Sequence, residues 1–241
     1  MTEASSKFYD EAWDQWDHMK IYGPTARHTR RLLFKLLDGL SFDSVLDAGC
    51  GTGILLQKIH ERFPGVQSTG AEYSPHGLDI AQKRLPETSF YVLDLAREKL
   101  AGKFDLVTCI DVLEHIEDDR SALKNLLTMT AKYMVLSVPL GALVQEEQER
   151  MGHAHGYSRR ELEQKIKDSG FEIVKAIQWG FPFYNIHRRI ANKMPAEATT
   201  GKYGFRKKFI SNLIYILFYL NIAPGGERYY VLCRPLQKSQ S

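Results

Sequence analysis

The stretch from Val45 to Gly53 constrains this chain more tightly than any other segment. Apolar and small residues lead through Asp47 into a loop holding Gly49, Cys50, Gly51, Thr52 and Gly53, after which Ile54, Leu55 and Leu56 open a helical pattern. That order predicts a strand, a tight glycine turn and a helix. Glycines are needed where the backbone takes positive φ or lies bare against a ligand, and a helix N-terminus just beyond offers unpaired N–H groups. The dinucleotide pattern G-x-G-x-x-G/A requires glycine or alanine at position 54, where this chain has Ile54.

The acids that follow carry the reading further. The run from Val66 to Ala71 predicts a second strand ending at Glu72 and Tyr73, with Glu72 placed to accept both ribose hydroxyls of a nucleoside. A third strand, from Phe90 to Leu93, ends at Asp94 and Leu95, beside an adenine amino group. A fourth, from Phe104 to Ile110, ends at Asp111. Open parallel sheets bind ligands at the carboxyl ends of their strands, so these acids converge on one crevice.

With these four motifs in order, the chain resembles the class I S-adenosylmethionine-dependent methyltransferases over roughly Tyr9 to Pro235. The resemblance implies a doubly wound α/β fold, Rossmann-like. It has a seven-stranded, mostly parallel sheet with an antiparallel last strand, to which the reading adds a helical cap. It implies S-adenosyl-L-methionine as cofactor, held by Asp47, Gly49, Cys50, Gly51, Thr52, Gly53, Glu72, Tyr73, Asp94, Leu95, Ile110 and Asp111.

At 241 residues and a net charge of +3, the chain can bury one core and does not describe a nucleic-acid-coating protein. One domain is expected over 1–241, with an N-terminal helical cap at 1–40, a cofactor-binding core at 41–178, a cap insertion at 179–225 and the last strand at 226–235. Cys50, Cys109 and Cys233 are odd in number without paired spacing, which argues for reduced thiols in a cytoplasm and against a zinc site. No apolar stretch of signal-peptide length precedes Asp10, so secretion is not expected.

Two helices are predicted over Phe8–Lys20 and Thr25–Leu37, a fifth strand over Lys132–Val138, a helix opened by a capping box at Ser158–Glu161, and strands six and seven over Phe171–Ile177 and Gly226–Cys233. The stretch between the last two is far longer than a hairpin loop and leaves the sheet at its carboxyl edge. It should therefore cap the cofactor crevice together with the N-terminal helices, lending Trp13, Trp16, Phe183 and Tyr184 as apolar walls. Residues Pro195–Lys202 read as the mobile part of that lid. Within the insertion, Phe209–Ile222 is apolar on nearly every face, which predicts burial on more than one side. It is too short to span a bilayer; packing on the domain or on a second subunit stands beside peripheral membrane contact.

Transfer of a sulfonium methyl needs a nucleophile held in line, and an oxygen nucleophile also needs a base. His155 and Tyr157 are the preferred substrate-side residues, because they lie between strand five and the capping box at the ligand edge. His115 follows strand four and either shapes its loop or acts as base. His187, beside Arg188 and Arg189, reads as a surface or core residue. Glu146, Glu147, Glu149, His153 and His155 cluster in sequence, and some quinone and small-RNA methyltransferases hold a divalent ion from this region. Their spacing matches no such pattern, so no metal is expected. The chain has Asp111, Val112, Leu113 and Glu114 where base-amine enzymes carry an Asn/Asp-Pro-Pro-aromatic run, which disfavours exocyclic base amines.

The expected activity is O-methylation of a small apolar or glycosylated metabolite in the cytoplasm, with a small-molecule substrate and no nucleic acid as partner; a homodimer is left open. N-methylation of a small amine and a binding module that has lost transfer are the alternatives.

Overall fold

A computed structural model describes residues 3–222 and 225–236. The first residues, Met1 and Thr2, and Ala223 and Pro224 at the end of the expected cap insertion lie outside the described residues. The chain opens with α1 (Glu3–Tyr22) and α2 (Pro24–Leu37), the second begun by Pro24, whose missing N–H costs nothing in a first turn. The alternating core follows: β1 (Ser44–Ala48), α3 (Ile54–Arg62), β2 (Gln67–Glu72), α4 (Pro75–Arg84), β3 (Ser89–Val92), β4 (Phe104–Ile110), α5 (Asp119–Met129) and β5 (Thr130–Pro139). Then come α6 (Gln145–Met151), α7 (Arg159–Asp168), β6 (Phe171–Trp179), α8 (Phe183–Lys193), α9 (Ala196–Thr199), α10 (Phe205–Leu217) and β7 (Arg228–Pro235).

Side-chain caps start the core helices where the sequence supplies them. Ser74 accepts the Gly77 N–H ahead of α4, Asp118 accepts that of Ser121 ahead of α5, and Ser158 accepts that of Glu161 ahead of α7.

The seven strands form one sheet in the order β3-β2-β1-β4-β5-β7-β6. All neighbours run parallel except β7, which is antiparallel to both β5 and β6. Strands of such a sheet are buried on both faces, and successive residues serve opposite cores. Leu46, Val107 and Leu136 pack with Leu123 and Leu126 of α5 and Leu162 of α7. Their neighbours Val45, Leu106 and Val135 pack on the other face with Leu33 and Leu36 of α2 and Leu56 of α3. The strand order reverses between β1 and β4, and the carboxyl ends of these strands flank the crevice that such a switch point opens.

One expectation of burial is corrected. The outer face of α10 and the turn after it is exposed: Phe209, Ile210, Leu213, Ile216, Tyr219 and Leu220 all lie open, while Ser211 and Phe218 are buried and Ile214 is half-buried. The apolar residues outnumber the positions that one packed helix face can cover, and the domain supplies a partner for one side of the helix only. No helix among the described residues is long and apolar enough to cross a membrane.

Candidate active site

The turn after β1 does what its glycines require. Gly49, Gly51 and Gly53 all have positive φ, and the N–H groups of Gly49 and Cys50 donate to the Ala71 carbonyl at 2.7 and 3.0 Å, tying the loop to the end of β2. A Cβ at Gly49 would lie 2.2 Å from Val112, and one at Gly51 would lie 2.3 Å from the Trp13 ring. Both positions are closed to a side chain by conformation and by space.

Above this turn lies a cavity of about 340 Å³, within the roughly 300–1,000 Å³ range of small-molecule sites. The floor brings together Gly49, Glu72, Tyr73, Leu95, Ile110 and Asp111 from the ends of the strands. The remaining residues expected at the cofactor do not line this surface. Asp47 is buried and accepts the Thr108 hydroxyl at 2.7 Å; burial pushes its carboxyl up to about 7. Thr52 donates to Asp17 of α1 at 2.6 Å, and Asp94 accepts the Ala96 N–H at 3.1 Å. Cys50 is buried, and Gly51 and Gly53 shape the turn.

Glu72 is already engaged. Its Oε1 accepts the N–H groups of Tyr73 and Ser74 at 2.9 and 3.2 Å, and its Oε2 accepts that of Gly51 at 2.9 Å. A carboxylate has about four lone-pair sites, so one remains, on Oε2. Acceptance of two hydroxyls at once, as expected from sequence, needs one of these backbone bonds to yield.

Asp111 is the non-glycine residue with positive φ among the described residues, at 58°. Asp tolerates this region better than most residues, and such strain persists where partners over-determine it. Here Ser137 donates its hydroxyl at 2.7 Å, Arg228 of β7 donates a guanidinium N–H, and the Asp111 N–H is held by the Ser137 carbonyl at 3.0 Å. Burial alone would raise the Asp111 carboxyl; the Arg228 charge, with Lys20 and Ser137, holds it below its ordinary value. Arg228 is 4% exposed and also reaches Tyr230 at 3.3 Å and Thr29 at 3.4 Å.

The roof comes from the cap, as connectivity predicts. Trp13 and Trp16 of α1, Tyr184 and His187 of α8, and Tyr203 and Ile214 further along line the same cavity. Phe183 is half-buried and packs against the core instead.

Two of the three expected catalytic residues lie elsewhere. His155 points its Nε2 at the carbonyls of Ile116 and Glu117, both at 3.0 Å, so that nitrogen carries the proton and donates. Tyr157 is fully buried, donates to Asp119 at 2.8 Å, and is shifted above the ordinary phenol range by burial and by that carboxylate. Neither borders the crevice. The loop after β5 turns these two side chains toward Asp119 and the carbonyls after β4, which satisfy their donors away from the crevice. Their bonds fasten the loop to the segment after β4 and the start of α5.

His115 does border it, together with Glu114 and His153. Burial, then the charges of His153 and Lys20, lowers His115 to about 3, so the ring is neutral. Glu114 is pushed up to about 8 by burial and by Asp111. Sequence spacing did not reveal that Glu114 and His153 meet, since α5 and β5 separate them along the chain. Arg228 was missed as well; its signal was an arginine at the head of the apolar run Tyr229–Cys233.

A family model described as a methyltransferase domain matches residues 17–176. The chain belongs to that family. Curated relatives include the ubiquinone biosynthesis O-methyltransferases of Idiomarina loihiensis and Chromobacterium violaceum. The first is 32% identical over 93 residues, covering 36% of this chain and 37% of the relative; the second is 32% identical over 133 residues, covering 51% and 56%. The chain thus spans about half or less of the length of these relatives. Among solved structures, N-methyltransferase NodS from Bradyrhizobium japonicum WM9, in complex with S-adenosyl-L-homocysteine, matches with a TM-score of 0.63 at 16% identity, over 97% of this chain and 98% of that one. The [4+2]-cyclase SpnF matches with a TM-score of 0.58 at 17% identity, over 86% and 81%. These two likenesses establish a common fold.

Proposed function

We propose that this family member binds S-adenosyl-L-methionine and transfers its methyl group to a hydroxyl of a small apolar or glycosylated metabolite. The observation that carries the reading is the convergence of the glycine turn, Glu72 and Asp111 on one cavity at the strand switch point. The O-methyltransferase names of the curated relatives support oxygen as the acceptor. The nucleoside lies along the ends of β1, β2 and β3, with a ribose hydroxyl on the remaining Oε2 site of Glu72 and the adenine beside Asp94 and Leu95. The sulfonium methyl then points toward the aromatic roof, which keeps water from it. The acceptor hydroxyl sits at the Glu114, His115 and His153 cluster, a polar corner of the same cavity.

Calorimetric titration tests the cofactor, with S-adenosylhomocysteine expected to bind and NAD not. Incubation of metabolite extracts with methyl-labelled S-adenosylmethionine, read by mass spectrometry, tests the acceptor; label found on nitrogen would favour an amine. Preferential binding of NAD would overturn the reading. A protein described as a cyclase shares this fold, so binding without transfer is the second reading, and absence of any labelled product despite tight nucleoside binding would favour it.

A cytoplasmic location and a partner set without nucleic acid belong to the same proposal, supported by three buried unpaired cysteines and a near-neutral charge. The open apolar face of α10 supports contact with a second copy or with a lipid surface, which sedimentation with and without vesicles distinguishes.

A further inference from the structure

The cap insertion carries the chain's net positive charge. Residues 183–222 hold seven lysines and arginines and one acid, Glu197, a net charge of +6, while the whole chain stands at +3, so the remainder carries −3. Some of these cations are engaged: Arg188 and Arg189 pair with Glu147 and Glu227 outside the segment, and Lys207 donates to the Glu197 carbonyl at 2.7 Å. Lys193, Lys202 and Arg206 lie exposed instead, the last two around the start of α10.

The same helix presents an apolar stripe. Phe205, Phe209, Leu213 and Ile216 follow the spacing i, i+4, i+8 and i+11, which places them within an arc of roughly 80° on a helix of 3.6 residues per turn. Phe205 is 86% exposed, and the other three are between 52% and 64% exposed. The opposite side of the helix faces the domain: Ser211 is buried and donates its hydroxyl to the Tyr22 carbonyl, and Ile214 borders the cavity. The open surface continues past the helix end. Leu220 and Ile222 are exposed, and the Ile222 N–H donates at 2.7 Å to the carbonyl of Phe181, itself exposed just ahead of α8. An open apolar surface of this extent marks an interaction site.

Charge and composition together select the partner. Lysine and arginine beside a stripe of phenylalanine, leucine and isoleucine suit a helix lying in the interface of an anionic bilayer, its apolar side among the acyl chains and its cations at the headgroups. A second copy of the chain, joined through the same patch on both sides, would set one basic segment against another. We propose that α10 docks this chain on an anionic lipid surface, with Phe205, Phe209, Leu213 and Ile216 inserted below the headgroups and Lys202 and Arg206 against them. At 13 residues the helix is too short to cross the bilayer and lies in the plane of its surface. The glycine turn takes no part in this contact, so the inference stands whether or not the chain transfers a methyl group.

The test is cosedimentation of the full chain with vesicles of phosphatidylcholine alone or of an equimolar mixture with phosphatidylglycerol. Binding should saturate on the mixed vesicles, be roughly tenfold or more weaker on phosphatidylcholine alone, and fall as salt is raised. Phe205→Ser with Phe209→Ser, and Lys202→Glu with Arg206→Glu, should each weaken it roughly tenfold or more. Neither pair should move the melting point, because all four side chains are exposed. The three native cysteines are buried, so a fluorophore can be attached at one introduced thiol. On mixed vesicles a label at Leu213→Cys should be quenched by nitroxide-bearing lipid, and one at Glu87→Cys, exposed ahead of β3, should not. This arm leaves the rest of the stripe and its charges in place, so it holds even where a paired variant does not fold. The proposal is overturned by absence of binding to mixed vesicles, by undiminished binding of the folded variants, or by a Leu213→Cys label quenched no more than the Glu87→Cys one. It is overturned equally by a dimer in sedimentation equilibrium that Phe205→Ser with Phe209→Ser abolishes, which would assign the stripe to a second copy.

Discussion

Replacing Arg228 with methionine should unsettle the crevice more than its place at the start of the last strand suggests. The guanidinium is 4% exposed and neutralises Asp111, whose own side chain is 19% exposed and sits in a strained backbone conformation. Methionine fills much of the same volume but leaves the carboxylate uncompensated. Breaking a buried pair this way costs about 3–5 kcal/mol, and the partial exposure of Asp111 places the expected loss near the lower end, about 3 kcal/mol. For a chain of this size that corresponds to a melting point roughly 6–12 °C lower.

The pH dependence follows from the sign of the shift. The folded Asp111 carboxyl lies below its ordinary value, so its contribution in the parent protein is present above the unfolded pKa and is lost as pH falls through the folded one. In the variant, burial without Arg228 raises that carboxyl, and protonation relieves it. The gap between parent and variant should therefore narrow on acidification. Urea unfolding at pH 7.5 and pH 4.5 measures both quantities, and Asp111→Asn combined with Arg228→Met should recover at least about 1.5 kcal/mol of the single-variant loss. A neutral-pH loss below about 1 kcal/mol, or a double variant no more stable than the single one, would refute this account of the pair.

Glu72→Gln should lower affinity for S-adenosylhomocysteine about 10–100-fold, the loss of one charge-assisted bond of about 1.5–3 kcal/mol, as read by calorimetry. Glu72→Ala should also destabilise the fold, since it unpairs three backbone N–H groups. His115→Ala should slow methyl transfer roughly 10²–10⁴-fold with nucleoside affinity retained, whereas His155→Ala should lower the melting point and leave the rate near that of the parent; the reverse pattern would return His155 to the site. Tyr157→Phe should cost about 1–2 kcal/mol in urea unfolding and nothing in transfer, because Lys165 still pairs with Asp119 at 2.6 Å.

The sheet was legible because its signals are local: a glycine turn, acids at strand ends and the serine cap at Ser158 each act within a few residues. The cap's position was legible through topology, since a long excursion leaving the carboxyl edge has to pass over the crevice. What the sequence concealed depends on contacts between distant segments. His155 and Tyr157 have the chemistry of site residues, yet their partners are Asp119 and the carbonyls of Leu113, Ile116 and Glu117, and the direction in which the loop turns is set by those bonds. Glu114 and His153 become neighbours only once the loop after β5 folds back on the end of β4. The open face of α10 was misread because apolar residues spaced around a helix look the same whether the domain covers them or not.

The contact between α1 and the glycine turn bears on how often the enzyme can work rather than on how. Trp13 rests on Gly51 and Gly77, Asp17 takes bonds from Thr52 and Arg84, and Asp10 accepts the Ser74 hydroxyl and the His76 N–H, so α1 is latched over the glycine turn and the start of α4. In the proposed reaction, spent nucleoside and fresh cofactor exchange once in every cycle past this helix. The latch then acts as a clock, and Asp17→Asn should speed nucleoside release in a stopped-flow displacement experiment while leaving single-turnover transfer unchanged. Under that reading, a faster chemical step gains the protein little, because its tempo is set by a helix lifting.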